Sequence, residues 1–340
     1  MELRELRYFL AVAQEKSITK AAEYLYIAQP SLSKQMQNLE KEIGRPLFIR
    51  GSRTITLTET GQLLKKRAEE MLELYEKTEA EIAAPPDEVC GEVRIGGGES
   101  FALQSVAKAA RAVQRDYPRI RFNFFSGDAE DVIEKLDKGL IDFGILIDLA
   151  DLSRYNTLRL PACDVWGVLL RKDDALAQKE SVTAEDLRGV PLICSRQSMR
   201  KMSLPAWFGG DMEHLHIRAV YNLIYNATLL VRAGMGCAIT IDKLINTSGD
   251  SDLCFRPLSP TLETHLDMAW KKHAVFSRPA QIFLEYLQED AKNGNTSPVT
   301  NRKGHGGAQA PHRSTPGKTG KFCKSFTKVL RGVHAHGPSL

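Results

Sequence analysis

Apolar side chains recur every three or four positions across residues 3–43, which is the spacing of amphipathic α-helices. The pattern is interrupted at Ser17 and again at Gln29-Pro30. Serine is a preferred N-cap, and a proline in the first turn of a helix removes no hydrogen bond, so both interruptions suit helix starts. We therefore predict three short helices, with a tight connection at residues 26–28 between the second and the third.

The third predicted helix buries Leu32, Met36 and Leu39, which leaves a polar face on its opposite side. Small alanines in the second helix allow the two helices to cross closely. Short hydroxyl and amide side chains with one lysine make up the polar face, and such groups suit base edges and phosphates in a major groove. The pair is typical of a helix-turn-helix whose second member reads DNA.

A β-hairpin is predicted after the third helix, because two β-rich runs, residues 47–50 and 54–57, flank a Gly-Ser-Arg turn. Beside a helix-turn-helix such a hairpin forms a wing. Its two arginines are expected to contact phosphates, in preference to the alternative of a solvated turn. The predicted DNA-binding residues of the helices and the wing are Ser17, Thr19, Gln29, Pro30, Ser31, Ser33, Lys34, Gln37, Arg50 and Arg53.

A long helix is predicted over residues 59–86, with Thr58 as its N-cap and Pro85-Pro86 at its end. Apolar and small residues repeat in it at alternating steps of four and three, which is a heptad seam. The flanks of the seam are charged, so a partner helix is favoured over burial against the helix's own domain. We predict a dimer through the seam residues Leu64, Ala68, Met71, Tyr75, Thr78 and Ile82.

Four motifs within residues 3–85 have a specific spacing: Ser17-Ile18-Thr19-x-Ala21-Ala22, Gln29-Pro30-Ser31-Leu32-Ser33, Gly44-x-x-Leu47-Phe48-x-Arg50 and Leu57-Thr58-x-x-Gly61. Together they resemble the LysR family of bacterial transcriptional regulators. The resemblance implies a multi-domain α and α/β protein with a winged helix-turn-helix at residues 1–58 and a linker and dimerisation helix at residues 59–86. It also implies double-stranded promoter DNA and a small-molecule effector as partners, and a tetramer assembled through effector domains.

From Gly91 onward, short apolar strands alternate with amphipathic helices, which predicts a mostly parallel sheet. A second unit of the same kind begins near Pro161. Two such halves resemble the two-lobed effector domain of the same family, which is like a periplasmic solute-binding protein. We place this domain at residues 91–291, with lobe I at 91–160 and 265–291 and lobe II at 161–264.

Turns that follow strands aim backbone N–H groups into the crevice between two such lobes, where a small ligand can bind. Ser100, Asp128 and Asn222 are each also readable as plain helix caps. Asp128 disfavours a nearby anion, so the effector is expected to be amphoteric or polar and neutral. The residues that match the family pocket in an approximate alignment are Ser100, Phe101, Gly127, Asp128, Ile147, Ser195, Gln197, Asn222 and Tyr225.

The net charge of +4 is unevenly distributed along the chain. Nine Lys and Arg residues and no Asp or Glu lie at residues 292–340, so the remainder of the chain carries −5. Residues 1–58 hold nine Lys and Arg against six Asp and Glu, or +3. Affinity for DNA should therefore come from locally placed cations. The polar, basic segment 292–340 is predicted to be a disordered tail, which either adds non-specific DNA affinity or is inert.

The sequence contains no P-loop, HExxH or GxSxG motif, and the glycines at 96–98 fail the dinucleotide pattern because position 101 is phenylalanine. We predict no enzyme, no cofactor and no metal site, and the six scattered cysteines are expected to be reduced thiols. Without a long apolar run or a signal-peptide stretch, a cytoplasmic protein is expected. Two alternatives remain: a solute-binding protein with a fused DNA-binding head, which would need export, and, less favoured, an enzyme on the α/β scaffold.

Overall fold

The structure is a computed structural model that describes residues 1–51, 54–83, 85, 88–147, 153–200, 203–210 and 214–293. The predicted wing residue Arg53, the sixth cysteine Cys323 and the predicted tail beyond residue 293 lie outside the described residues.

The N-terminal part consists of three helices and a hairpin, as the hydrophobic pattern predicts. Its elements are α1 (Leu3–Glu15), α2 (Ile18–Tyr24), α3 (Gln29–Ile43), β1 (Phe48–Arg50) and β2 (Ile55–Leu57). The Ser17 hydroxyl accepts a hydrogen bond from the Lys20 backbone N–H and so caps α2. Phe9 packs against the fully buried side chains that face inward from α3, which are Leu32, Met36 and Leu39. The polar face of α3 is thereby turned outward.

The long helix α4 (Glu59–Ile82) follows, with Thr58 as its N-cap. A β-carbon at Gly61 would lie 2.2 Å from the Leu47 carbonyl oxygen, so only glycine lets this helix approach the base of the wing. The seam prediction is wrong for Ala68, which is fully buried against Leu6 of α1, and the half-buried Leu64 packs against the same cluster. The seam residues from Met71 onward remain exposed. Packing within this domain therefore covers the first half of the heptad pattern and leaves the residues of the second half exposed.

Residues 91–293 form two lobes around one mixed sheet. The strands are β3 (Gly91–Gly97), β4 (Ile120–Ser126), β5 (Phe143–Ile147), β6 (Tyr155–Arg171), β7 (Leu192–Ser195), β8 (Ile217–Tyr221), β9 (Cys237–Ile241), β10 (Leu253–Pro257) and β11 (Glu263–Lys271). Within the described residues their order is β4-β3-β5-β11-β6-β9-β7-β8, with β10 paired to β6. The N-terminal half of β6 pairs with β11 in lobe I, and its C-terminal half pairs with β9 and β10 in lobe II.

The predicted parallel arrangement is correct for β3, β4 and β5 and for β7, β8 and β9, but it is wrong at the centre of the sheet. There β11 and β6 run antiparallel to their neighbours, because β6 continues from lobe I into lobe II and β11 returns along it. The strand β6 begins at Tyr155, inside the predicted lobe I, and continues past Pro161, where the second unit was predicted to begin. These two strands connect the lobes.

Helices cover both faces of the sheet. They are α5 (Leu103–Asp116), α6 (Ala129–Asp137), α7 (Arg196–Arg200), α8 (Ser203–Trp207), α9 (Ile224–Arg232) and α10 (Arg278–Asn293). Asp128 caps α6 as predicted, by accepting from the Glu130 and Asp131 backbone N–H groups. The other two predicted caps are wrong. Ala102 is the N-cap of α5 because Ser100 lies in a turn before it, and Leu223 is the N-cap of α9 because Asn222 accepts from the Leu223 N–H instead.

Candidate DNA-binding surface and effector cleft

The outward face of α3 presents the predicted polar residues together. Gln29, Pro30, Ser31, Lys34 and Gln37 are exposed, whereas Ser33 is half-buried beside them. At the start of α2, Thr19 is exposed and Ser17 is half-buried. A short helix face of amides, hydroxyls and one ammonium group matches the donors and acceptors that base edges and phosphates offer.

The wing is fixed to α3 by a carboxylate that sequence reasoning did not single out. Oε1 of Glu40 accepts hydrogen bonds from the Leu47 and Phe48 backbone N–H groups at 2.8 and 3.1 Å. Oε2 of the same residue lies 3.9 Å from the half-exposed Arg50 guanidinium. Glu40 therefore fixes the start of β1 to α3, and Arg50 lies near the same carboxylate. Its place directly after the buried Leu39 was the available signal.

A cavity of about 60 Å³ lies between the two lobes. Residues from lobe I, from lobe II and from the strand β6 that joins them line it: Gly98, Glu99, Gly127, Ile147, Trp166, Ser195, Gln197, Ser198, Tyr221, Asn222, Ile224, Thr240, Ile241 and Leu244. Five predicted effector residues are among them, namely Gly127, Ile147, Ser195, Gln197 and Asn222. Sequence reasoning missed Glu99, Trp166 and Tyr221.

Four predicted effector residues lie outside this lining. Tyr225 is 64% exposed on the first turn of α9. Phe101 lies under the Lys243 ammonium, which is 5.3 Å from the ring centroid. The Asp128 carboxylate caps α6 and lies 3.9 Å from the Arg196 guanidinium of the other lobe. These three residues flank the cleft, and the last two make contacts that join its walls.

The fourth of these residues, Ser100, is only 7% exposed, and its hydroxyl is already engaged. It donates to Oδ2 of Asp164 on β6 and accepts from the Ala102 N–H at 2.9 Å. Asp164 is fully buried, its other carboxyl oxygen has no partner among the described residues, and burial raises its pKa. Ser100 thus stabilises a buried carboxyl group at the junction of the lobes.

We expect Ser100→Ala to lower the free energy of unfolding by about 1–3 kcal/mol, because the buried Asp164 carboxyl loses its hydrogen-bond donor. Ser105→Ala is the matched control: it removes a buried hydroxyl that donates to a backbone carbonyl, so its expected cost is nearer to about 1 kcal/mol. Chemical denaturation of both variants measures the difference. Equal stability of Ser100→Ala and the wild type would show that the Asp164 carboxyl does not depend on this hydroxyl.

A carboxylate also joins the two walls directly. Oε2 of Glu99, which follows β3 in lobe I, accepts a hydrogen bond from the Ile224 N–H in the first turn of α9 at 3.1 Å. Leu223, the N-cap of that helix, supplies no side-chain acceptor. A negative charge at a helix N-terminus is favourable because unpaired N–H groups and the helix dipole meet it there. Glu99 therefore supplies the side-chain acceptor at the N-terminus of α9, a helix of the opposite lobe.

The linker helix α4 is attached to lobe I by ion pairs. The Lys77 ammonium lies 2.7 Å from Oδ1 of Asp142 and donates to the Gly139 carbonyl at 3.0 Å. Both side chains of this pair are largely buried. Nearer the wing, Lys138 lies 2.7 Å from Glu70. The turn at Gly139 and Asp142 thus docks the linker helix on lobe I.

The five described cysteines are all free. Burial raises the pKa of Cys194 and of Cys237 to about 12, so these two thiols stay neutral and unreactive. Among the described residues, no group of three or more His, Cys, Asp and Glu side chains is arranged to hold a metal ion. None of the described helices combines the length and the apolar character needed to cross a membrane.

Comparisons with known proteins match both parts of the chain. A family model described as a bacterial regulatory helix-turn-helix protein of the lysR family matches residues 3–62, and the LysR substrate binding domain model matches residues 86–292. The HTH-type transcriptional regulator BsdA of Bacillus subtilis is 29% identical over 296 residues, covering 84% of this chain and 99% of that protein. The Hca operon transcriptional activator HcaR of Escherichia coli is 30% identical over 296 residues, with coverages of 85% and 98%.

Solved structures share the fold. Full-length CbnR in complex with its target DNA has a TM-score of 0.69 at 21% identity, covering 85% of this chain and 100% of that one. CbnR without DNA, described as a LysR family transcriptional regulator, has a TM-score of 0.68 at 21% identity, covering 86% of this chain and 99% of that one. At this identity the likeness concerns the fold alone.

Proposed function

The chain belongs to the LysR family of bacterial transcriptional regulators, and from this membership we propose which of its residues perform each step. It is a sequence-specific DNA-binding regulator whose activity is controlled by a small-molecule effector. The observation that carries the assignment of DNA contacts is the exposed polar face of α3, to which Glu40 joins the strand β1 that bears Arg50.

In our proposal, α3 enters the major groove and reads base edges with its N-terminal amide and hydroxyl groups. Gln29, Ser31, Ser33 and Gln37 supply hydrogen bonds to bases, and Lys34 contacts a phosphate or a guanine. Ser17, Thr19 and Pro30 lie where the ends of α2 and α3 approach the phosphate backbone, and Arg50 contacts phosphates from the wing. Arg53 is proposed for the same role from its sequence position.

We expect Arg50→Ala to weaken binding to cognate and random DNA by a similar factor, because phosphate contacts carry no base information. The plot of log affinity against log salt should become shallower by about 0.9, because the variant neutralises one phosphate fewer. Fluorescence anisotropy at several salt concentrations measures this slope, and Arg188→Ala, which removes an exposed cation from lobe II, is the control. If the slope of Arg50→Ala stays at the wild-type value, Arg50 does not contact a phosphate.

We propose that the effector binds in the cavity between the lobes and touches both walls. A ligand that contacts both walls favours one arrangement of the lobes over the other, by no more than its differential affinity for the two. The Lys77–Asp142 pair then transmits the change in lobe I to α4, which carries the DNA-binding head. Altered spacing of two heads changes the footprint on DNA without altering α3 itself.

We further propose that the protein assembles through the open half of the α4 seam into a dimer and through its effector-binding parts into a tetramer. The domain limits are proposed as residues 1–58, 59–86, 91–291 and 292–340. The protein works in the cytoplasm, where promoter DNA lies. It has no enzymatic activity in this proposal, since its relatives are transcription regulators and the cleft serves binding.

Footprinting of the full-length protein on the intergenic DNA beside its own gene tests this function. The proposal expects protection of two half-sites, and a change in the protected length when an effector is added. Protection that is absent on this DNA, or that spreads evenly with concentration over any DNA, would contradict sequence-specific regulation.

A further inference from the structure

Among the described residues that line the cleft, one side chain is charged, the carboxylate of Glu99. The other lining residues are apolar, or carry hydroxyl, amide, indole or backbone groups. Two described cations make interlobe contacts outside the lining: Arg196 faces Asp128, and Lys243 lies over the Phe101 ring. An anionic ligand in the cavity would therefore meet a like charge with no described lining cation to offset it, and like charges at short range are unfavourable.

Glu99 lines this space and retains a free acceptor. Oε2 is used by the Ile224 N–H, whereas Oε1 accepts no hydrogen bond from any described residue. A half-buried carboxylate is satisfied best by a charged donor, because charge-assisted hydrogen bonds are shorter and stronger than neutral ones. Glu99 thus favours a cationic donor on the cavity side, and it can accept one without releasing α9.

Trp166 adds a second requirement, which is a hydrogen-bond acceptor on the ligand. It lines the same cavity from β6, at the point where that strand passes between the lobes. The side chain is 7% exposed, and its indole Nε1–H has no hydrogen-bond partner among the described residues. The Nε1 atom is itself buried, and a buried N–H group without an acceptor is costly, so a ligand acceptor placed against Trp166 would relieve that cost.

We propose that the effector is a small amino compound of the α-amino-acid type, whose ammonium group binds Oε1 of Glu99 and whose acceptor group takes the hydrogen bond of the Trp166 indole. This assignment rests on the proposed role of the cleft as the effector site. A cavity of about 60 Å³ holds about four water-sized centres, so the ligand is compact. A larger side chain requires the lobes to separate.

Matched pairs of small molecules test the proposal on the full-length protein. Glycine, L-alanine and L-serine are compared with glycolate, L-lactate and glycerate, which replace the ammonium group by a hydroxyl at nearly the same size. Thermal melting and titration calorimetry report binding. We expect at least one amino compound to bind and its hydroxy partner to bind at least about tenfold more weakly, because the hydroxyl makes no charge-assisted hydrogen bond to Glu99.

Two variants locate the contacts. Glu99→Gln retains an oxygen that accepts from the Ile224 N–H but removes the charge, and it should weaken the amino compound by roughly 10- to 100-fold. Trp166→Phe retains an aromatic ring and removes the donor, with an expected reduction of about three- to tenfold. Glu180→Gln removes the same charge from an exposed position of lobe II and should leave the affinity unchanged.

Three outcomes would overturn the proposal: tighter binding of the hydroxy acids, wild-type affinity of Glu99→Gln for the amino compound, or no binding of any amino compound. Footprinting without ligand is run alongside, because its failure would reject the DNA-binding function itself. Specific footprints combined with a failed ligand test would reject the ligand class alone.

Discussion

Replacing Met71 by lysine is expected to convert the proposed dimer to a monomer. Met71 lies on α4 where the heptad pattern leaves the protein's own core, and it is 38% exposed. Tyr75, Thr78 and Ile82 continue the same face at steps of four, three and four, and Ile82 is 79% exposed. A lysine in the middle of such a seam places a charge where two apolar faces meet, and burying an unpaired charge is strongly unfavourable.

Loss of the dimer should also weaken DNA binding severely. Two linked heads bind two half-sites with a high effective concentration, so separating them is expected to lower affinity by about 10²- to 10⁴-fold. Sedimentation and DNA titration of Met71→Lys measure both effects. Gln62→Lys places the same charge on an exposed position near the start of α4 and should stay dimeric. A soluble Met71→Lys protein that remained dimeric would show that the seam does not hold the subunits together.

Removing the Gln29 side chain is expected to cost about 1–3 kcal/mol of binding to the cognate sequence while leaving binding to random DNA nearly unchanged. Gln29 is the first residue of α3 and is exposed, and its amide can donate and accept in the groove. Ser33→Ala, one turn further along, should give a reduction of the same kind. Discrimination between cognate and random DNA falls in both variants because a base edge loses its hydrogen-bond partner.

Competition titrations of cognate against random duplexes separate this effect from a general one. Gln14→Ala removes the same amide from an exposed position of α1, and it should leave both affinities at their wild-type values. If Gln29→Ala weakened the two duplexes equally, Gln29 would be a backbone contact and base reading would belong to other residues of α3.

The DNA-binding head was predictable because its signals are local. Caps, a proline at a helix start and apolar spacing fix α2 and α3 within a few residues, and Ser17 and Thr58 cap their helices as expected. The heptad pattern was predictable from the sequence, but the surface that each seam residue contacts was not. Leu64 and Ala68 have the same spacing as Met71 and Tyr75, yet they face α1, and periodicity does not reveal which surface covers a stripe.

The proposed effector cleft was only partly predictable because its contacts join distant parts of the chain. Glu99 and Ile224 are 125 positions apart, and Ser100 and Asp164 are 64 apart. Ser100 has the residue type and the position of a helix cap, but a buried carboxylate on β6 attracts its hydroxyl. Trp166 belongs to an apolar run, so its unpaired indole N–H becomes visible only when the described parts of the lobes are folded around it.

Selection of binding sites from a random-sequence DNA library by the full-length protein tests sequence-specific recognition most directly. Two related half-sites at a fixed spacing should be enriched, and Gln29→Ala should select a motif that is degenerate at one position in each half. Recovery of unrelated sequences, or of a motif that Gln29→Ala leaves unchanged, would contradict the role of the α3 face as the base-reading surface.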